Sequence, residues 1–359
     1  MAAAAGSPAG PVLIVGGGLA GGLLALELRE RGRAVTLLDG ADAAAASGLA
    51  SPTALSYGGI PGWPVLPTPL ARRAAGAARR WRQLQRRHGD LGWRRCGLRL
   101  HGSALAPWIR GLPFSRVDAV RLRNRLPPVL AAAGVQQRRG RALALEAAGA
   151  GWRVHLAGGE SLEAPQLVLA AGAGCRALWP DLPPYLSCSW AGVLQLPSGG
   201  GPITLPRHLQ RPLLERRALQ LQEAAWVVDP GRAPWGDGAL LGQISWLAAA
   251  DVADGSAPEL APDPALMEHR LRQGLAACGA AWISALEAAG HYHQVPVAFS
   301  SNGLPLVGPV PQASGLWVFS GFSGAFAQVP VLAPLLADWL APHPHRSARA
   351  RQRLQALGL

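Results

Sequence analysis

An α/β protein, in which a parallel sheet with crossover helices carries a second, mainly antiparallel sheet, is what three features of this 359-residue sequence predict. The first is a glycine-punctuated turn behind an apolar run, "VLIVGGGLAGG". The second is a pair of later apolar runs, "QLVLAAGAG" and "LWVFSGFSG", each ending in small residues. The third is a set of strand-like segments between residues 184 and 295, separated by Pro and Gly. With 49% hydrophobic residues the chain can bury a large core, and its length suits two domains.

"VLIV" at 12–15 is a short continuous apolar run of the kind that becomes a strand buried on both faces. Gly16, Gly18 and Gly21 follow as G-x-G-x-x-G at a strand-to-helix turn. Gly16 permits the turn, Gly18 lets a pyrophosphate approach the backbone, and Gly21 lets helix and strand pack closely. Ala25, Leu28 and Gly32 keep helical register, and "AVTLLD" reads as a second strand ending on Asp39. An acid 18 residues beyond the last glycine is placed to accept the hydroxyls of an adenosine ribose. This half therefore binds an adenine dinucleotide, FAD or NAD.

Three later stretches extend the pattern. "VDAVRLRNRLPPVLAAAGV" (117–135) reads as a helix leading to a short strand at Val135, in spite of Pro127 and Pro128. "APQLVLAAGAGCRAL" (164–178) is an apolar strand ending in Ala171 and Gly172, where small residues allow close approach to a ligand. "NGLPLVGPVPQASGLWVFSGFSGAFAQVPVLAPLLADWL" (302–340) gives a loop, a strand, a glycine-rich turn and a closing helix.

In this order the chain resembles, over nearly its whole length, the FAD-dependent amine and amino-acid oxidoreductases of the D-amino-acid oxidase superfamily, with glycine oxidase and monomeric sarcosine oxidase nearest. The resemblance implies a Rossmann-like FAD-binding domain, discontinuous over 1–93, 116–183 and 296–359. A mainly antiparallel β-sheet substrate domain would take 94–115 and 184–295, with "CGLRLHGS" (96–103) as an added hairpin. It further implies that Gly16, Gly18, Leu19, Ala20 and Gly21 hold the pyrophosphate and Asp39 the adenosine ribose. Ser47 would lie near the phosphates or ribityl chain, Val135 near the adenine, and Ala171 and Gly172 along the middle of the cofactor. Leu304, Gly321, Ser323 and Gly324 would approach the flavin ring. The closing helix would aim its N-terminus at the pyrimidine edge, stabilising the negative charge of the reduced ring. Phe326 stands where the family usually has a further glycine, and Pro330 comes one residue early, so a remodelled turn is expected.

Flavin-dependent oxidation of a C–N bond needs a C–H bond held over the flavin and, for amino acids, a cation for the carboxylate. In the amino-acid oxidases that cation is an Arg on the strand before the "DGxP" loop, which corresponds here to "HQVPVAFSSNG". Val295 or Val297 occupies the place. A simple free amino acid is therefore not the expected substrate unless Arg99 or Arg207 substitutes from the second domain. Trp246, His291, Tyr292 and His293 are the substrate-side candidates, against the plainer reading of structural histidines. The Cys and Lys that monomeric sarcosine oxidases use for covalent FAD and for oxygen are missing, since the last Cys is Cys278 and there is no Lys. FAD should be non-covalent, with oxygen or another electron acceptor, such as a quinone or carrier protein, taking the electrons.

The absence of Lys also excludes Schiff-base chemistry with pyridoxal phosphate and a P-loop lysine. Four cysteines, Cys96, Cys175, Cys188 and Cys278, share no metal-like spacing, so no metal is expected and the compartment reads as cytoplasmic. Residues 1–26 are uncharged, but the five glycines of "VLIVGGGLAGGLLALEL" suit a strand, turn and helix rather than a membrane span. The net charge of +13 admits a polyanion partner. "PLARRAAGAARRWRQLQRRHGDLGWRR" (69–95) reads as an amphipathic helix with Leu70, Ala74, Ala77, Ala78, Trp81 and Leu84 on one face. Its arginines read first as a solvated face of the FAD-binding half. Binding of RNA, as in a flavin-dependent tRNA-modifying oxidoreductase, or of anionic lipid are the sharper alternatives, and a flavin-binding protein without turnover is the reading outside enzymes.

Overall fold

The computed structural model describes residues 10–40, 51–101, 113–197, 203–206, 225–247, 261–277 and 280–359. Val12–Val15 is buried along its whole length, as a central parallel strand must be. It lies between Val35–Asp39 and Gln166–Leu169, both parallel to it. Gln136–Arg139 extends the sheet beyond Val35–Asp39, and Leu316–Ser320 and Leu306–Pro309 complete the other side, giving six strands. Only the pairing of Leu306–Pro309 with Leu316–Ser320 is antiparallel.

Helix Leu19–Glu30 returns across one face of this sheet and meets Ala325–Trp339 and Ala119–Ala132 in a shared core of Leu23, Leu28, Leu122, Leu126, Val329 and Leu336. Pro127 and Pro128 sit inside Ala119–Ala132, whose N-terminus Asp118 caps by accepting from the Arg121 amide. The opposite face is covered by an antiparallel three-stranded meander, Ala142–Ala148, Gly151–Leu156 and Ser161–Ala164, which buries Trp152, Val154 and Leu156. The alternation in "GWRVHL" carries that signal.

The second large sheet has seven strands, in the order Tyr292–Ser300, Leu186–Leu196, Gly238–Leu247, Arg232–Trp235, Ile203–Pro206 and Leu98–His101, with Ala225–Val228 branching from Gly238–Leu247. All pairings are antiparallel except that of Ile203–Pro206 with Leu98–His101. Within the 96–103 segment Leu98–His101 is a strand whose described partner, Ile203–Pro206, is parallel, and the second strand of the expected hairpin would fall outside the described residues. Helices Pro264–Ala276 and Ala280–Glu287 cover one face of the sheet through Trp190, Leu194, Met267, Leu271 and Trp282.

The arginine-rich stretch is not one helix. It divides into Pro69–Ala74, capped by Thr68, and Ala77–His88, with a break at Ala75–Gly76. Gly89, at φ 81°, ends the second helix, and Trp93–Arg95 then pairs with Phe114–Val117 in a small sheet. Arg80 and Arg31 both pair with the buried Glu27, and Arg31 also reaches Asp338 at 2.7 Å. These ion pairs fasten the basic helix and the closing helix to Leu19–Glu30. Among the described residues no helix is long and apolar enough to cross a membrane.

Candidate functional site

The carboxyl ends of four parallel strands converge on one edge of the six-stranded sheet, the edge at which ligands of such sheets bind. Gly16 follows Val15, Ala170 to Gly172 follow Leu169, Asp39 closes its own strand, and Gly321 follows Ser320. The Gly16 amide donates to the Leu38 carbonyl at 2.8 Å, and the Ala170 amide to the Val15 carbonyl at 2.8 Å, so the strand ends are held in register. Gly16 has φ 115°, and a Cβ there would collide with the Ala170 carbonyl. A Cβ on Gly21 would collide with the Gly16 carbonyl oxygen, which is the close helix-to-turn packing that its place in the motif demands.

Gly18 is the N-cap of helix Leu19–Glu30 and supplies no side-chain cap, and no acid occupies the first turn. The Leu19 amide finds the Thr53 hydroxyl at 3.4 Å, at the weak limit of a hydrogen bond. Ala20 is half-buried behind it. The N-terminus thus offers amide donors and the positive end of the helix dipole to an anion. The Asp39 carboxylate lies against Gly17, where a Cβ would collide with it.

At the other side of the edge, the turn after Ser320 is exposed at Ser323 and Gly324 and opens helix Ala325–Trp339. That helix also lacks a side-chain cap and an acid in its first turn. Gln328, only 9% exposed, donates from Nε2 to the Ser323 hydroxyl at 3.2 Å, and its Oε1 is a buried acceptor without a partner among the described residues. Phe326 turns away from the edge and into the core, stacked against Trp81, whose indole N–H donates to the Phe326 carbonyl at 2.8 Å. The bulky residue at this turn is thereby absorbed without filling the site.

The seven-stranded sheet meets this edge from above. Gly321 approaches Leu186 and Ser300, where a Cβ would lie 2.9 Å from Leu186 Cδ1. The Ser320 hydroxyl donates to the Gly172 carbonyl at 3.4 Å. Residues 53–57 bridge the two sheets: Thr53 touches the dinucleotide turn, the Ala54 carbonyl accepts from the Trp235 indole at 2.6 Å, and the Tyr57 hydroxyl donates to the Gly231 carbonyl. Leu55 packs with Val193, Leu240 and Val295, with Val297, Tyr57 and Trp235 around them.

His293 shares this face. It pairs with Val193 in the ladder, its Nε2 lies 3.0 Å from Gln195 Oε1, and its ring is 6.4 Å from that of Trp235. Burial first, and the neighbouring His291 second, hold its pKa below the ordinary histidine value. His291 itself is exposed at the strand's start, its carbonyl accepting from the Gln195 amide.

Several residues expected at the site are elsewhere. Tyr292 and Trp246 lie on the opposite face of the seven-stranded sheet, packed with Trp190, Trp226 and the helix carrying Met267. The Tyr292 ring fills the space left by the missing side chain of Gly192, and its hydroxyl donates to Gln294. Strand alternation accounts for this, since 292 and 293 must face opposite ways. Val135 is also displaced. Thr36 pairs with Gln136 and Asp39 with Arg139, so Val135 sits at the far end of its strand from Asp39, roughly 13 Å away at ~3.3 Å per residue, and packs in the core. The residues beside Asp39 are Arg139 and Gly140, whose amide donates to the Asp39 carbonyl; the glycine after "QQRR" was the available signal. Arg99 is exposed and pairs with Thr204, one position out of phase with Leu98 and Ile203, which face Phe114 and Tyr57; it does not reach the valines. Leu304 leans on the C-terminal turn at Gly358. Ser47, Arg207 and Cys278 lie outside the described residues.

A glycine cradle, a carboxylate at the second strand's end and a second uncapped helix across the same edge define a dinucleotide-binding α/β protein. Residues 11–128 and 115–339 match the family described as DAO, FAD dependent oxidoreductase, and the chain belongs to that family. Its fold is similar to that of glycine oxidase from Geobacillus kaustophilus, with TM-score 0.65 and 18% identity over 92% of this chain and 94% of that one. Iminodiacetate oxidase from Chelativorans sp. BNC1 matches with TM-score 0.62 and 18% identity over 92% and 94%. L-amino acid deaminase from Proteus vulgaris matches with TM-score 0.63 and 12% identity over 95% of each chain.

The residues present fit FAD, the cofactor of this family. Gly16 and Gly21 permit the tight turn and the close helix packing that shape the cradle, and Gly18 leaves the helix N-terminus without a side-chain cap. The orphaned Gln328 acceptor and the bare first turn of Ala325–Trp339 supply polar groups suited to an amide-bearing ring edge.

Proposed function

We propose that this FAD-dependent oxidoreductase oxidises a C–N bond of an amine or amino-acid-like substrate, and that the substrate carries no carboxylate needing an arginine clamp. The observation that carries this reading is the aliphatic face of Val193, Leu240, Val295 and Leu55 beside His293, at the strand where the family's amino-acid oxidases place arginine. Val295 is 3% exposed and packs among Leu55, Val193 and Leu240. A carboxylate brought against these aliphatic side chains would lose its water without gaining a partner from them. The oxidation of amine-bearing molecules is supported by the neighbours' names, glycine oxidase, iminodiacetate oxidase and L-amino acid deaminase.

Gly16, Gly18, Leu19, Ala20 and Gly21 would hold the pyrophosphate, Asp39 the ribose, Ala171 and Gly172 the middle of the cofactor, and Gly321, Ser323 and Gly324 the ring. Bound FAD supplies the acceptor for a hydride from the carbon next to nitrogen. The protein's contribution is orientation and exclusion of water. The apolar face holds the substrate's carbon side, and neutral His293, fixed by Gln195, takes a hydrogen bond from the amine. Residues 1–93, 116–183 and 296–359 would serve the cofactor and 94–115 and 184–295 the substrate. Attachment is non-covalent, because the closing strand, turn and helix contain no cysteine. Oxygen or another acceptor completes the cycle.

Anaerobic addition of amines, N-methyl compounds, hydroxy acids and modified tRNA to the yellow protein tests the reading. Bleaching by uncharged-tail amines supports it, and bleaching only by amino acids, or by none of the classes, contradicts it.

A further inference from the structure

Two helical stretches far apart in sequence combine into one basic surface. Residues 69–88 carry seven arginines and residues 344–355 four, and neither stretch contains an Asp or Glu. Helices Pro69–Ala74, Ala77–His88 and Pro344–Gln355 all pack against Ala325–Trp339. Arg73 and Arg353 are near enough that, after burial, the Arg353 charge helps to hold the Arg73 pKa below its ordinary value. Arg80 and Arg87 are committed to Glu27 and Glu30. Arg72, Arg73, Arg79, Arg82 and Arg86, with Arg346, Arg349, Arg351 and Arg353, are exposed and form no ion pair among the described residues. Fixing like charges side by side is unfavourable, so the patch suits an anionic counter-surface.

An apolar tip adjoins the first of these helices. Val65 and Leu66 are 39% and 42% exposed and stand between Pro64 and Pro67, immediately before the helix that bears Arg72 and Arg73. Leu66 stands six positions before Arg72, so the tip lies within about 20 Å of that arginine. Adjacent exposed aliphatics beside a cationic face form an amphipathic surface.

We propose that this face docks on an anionic phospholipid bilayer, with Val65 and Leu66 entering the acyl region and the arginines on the headgroups. A nucleic acid would neutralise the arginines but leave the aliphatic pair without a partner. A second copy of the chain, with the same +13 charge, is repelled. The docking is peripheral and does not depend on which substrate the flavin site takes.

Co-sedimentation of the FAD-loaded protein with vesicles tests it. Binding is expected to vesicles containing phosphatidylglycerol and not to pure phosphatidylcholine, and to weaken as salt is raised. The triple variant R72Q/R73Q/R353Q should bind about a hundredfold more weakly, at about fivefold per arginine. V65S/L66S should lose the salt-resistant part of the binding, with flavin absorbance and melting temperature unchanged in both. Failure to bind anionic vesicles, or equal binding to zwitterionic ones, overturns the proposal. So does retention on RNA that V65S/L66S leaves intact while vesicle binding is also unaffected, which would mark the patch as a general polyanion binder. Should the triple variant fold poorly, V65S/L66S alone decides between these outcomes.

Discussion

Tyr292 and His293 are neighbours in the chain and face opposite sides of the seven-stranded sheet. Tyr292 packs over Gly192 among the helix-facing tryptophans, whereas His293 lies beside Gln195 and Trp235 on the face that meets the cofactor edge. The two residues therefore respond differently to truncation. Tyr292→Ala should lower stability by about 2–3 kcal/mol, with ligand binding by the folded fraction preserved. His293→Ala should leave melting nearly unchanged and raise the KM for the amine. Parallel unfolding and steady-state measurements on the two variants check this, and a stability loss at both positions with no kinetic change at either would count against it.

The depressed pKa of His293 makes stability depend on pH. Burial favours the neutral imidazole in the folded state, while the unfolded chain titrates near ~6.5. The unfolded state thus binds the proton more readily, and the contribution is complete above that range and lost as pH falls through the folded pKa. Urea unfolding should show lower stability on acidification below that range. His293→Gln should flatten the dependence, and an unchanged slope in the variant would assign the effect to other groups.

Gly21 is the most sterically constrained position of the cradle, since a methyl group there meets the Gly16 carbonyl. Overpacking of this kind costs about 1–3 kcal/mol. Gly21→Ala should therefore weaken FAD binding roughly ten- to hundredfold, at ~1.4 kcal/mol per factor of ten. Fluorescence titration of the apoprotein with FAD measures it.

Gln328 keeps a buried acceptor unpaired beside Ser323. An acceptor that FAD satisfies contributes about 1 kcal/mol to its binding. Gln328→Leu should weaken FAD by roughly fivefold and shift the flavin absorption bands. If the Gln328 and Ser323 pair merely caps the helix, the variant will lower the melting temperature of the apoprotein without altering FAD affinity or spectrum.

Val297 offers a gain-of-function test. It is half-buried on the aliphatic face next to Val295. Val297→Arg restores the cation that the resemblance places there, and a charge-assisted pair is worth about 1.5–3 kcal/mol. The affinity for small carboxylates, followed by perturbation of the flavin spectrum, should rise at least about tenfold.

The cofactor half was legible because its constraints are local. The buried run at Val12–Val15, the glycines after it and the acid at Asp39 each follow from backbone geometry within a single strand, turn and helix. Strand alternation was equally plain in "HYHQVPVAFS", but alternation cannot say which face will be covered by helices. That depended on Pro264–Ala276 docking through Met267 and Leu271. Val135 was misplaced for a related reason, because pairing register with Val35–Asp39 is a tertiary fact. The long basic helix broke at Ala75–Gly76, where glycine's low helix propensity prevailed over an otherwise continuous amphipathic pattern.

The central claim is that FAD, held on the Gly16–Gly21 cradle, receives hydride from an amine that is not clamped by its carboxylate. Anaerobic titration of the purified holoprotein with paired substrates tests it most directly, each pair being an amine and the corresponding α-amino acid. The account predicts that the amine bleaches the flavin absorbance at lower concentration than its carboxylate-bearing partner. Tighter and faster bleaching by the amino acids, with the amines inert, would contradict it.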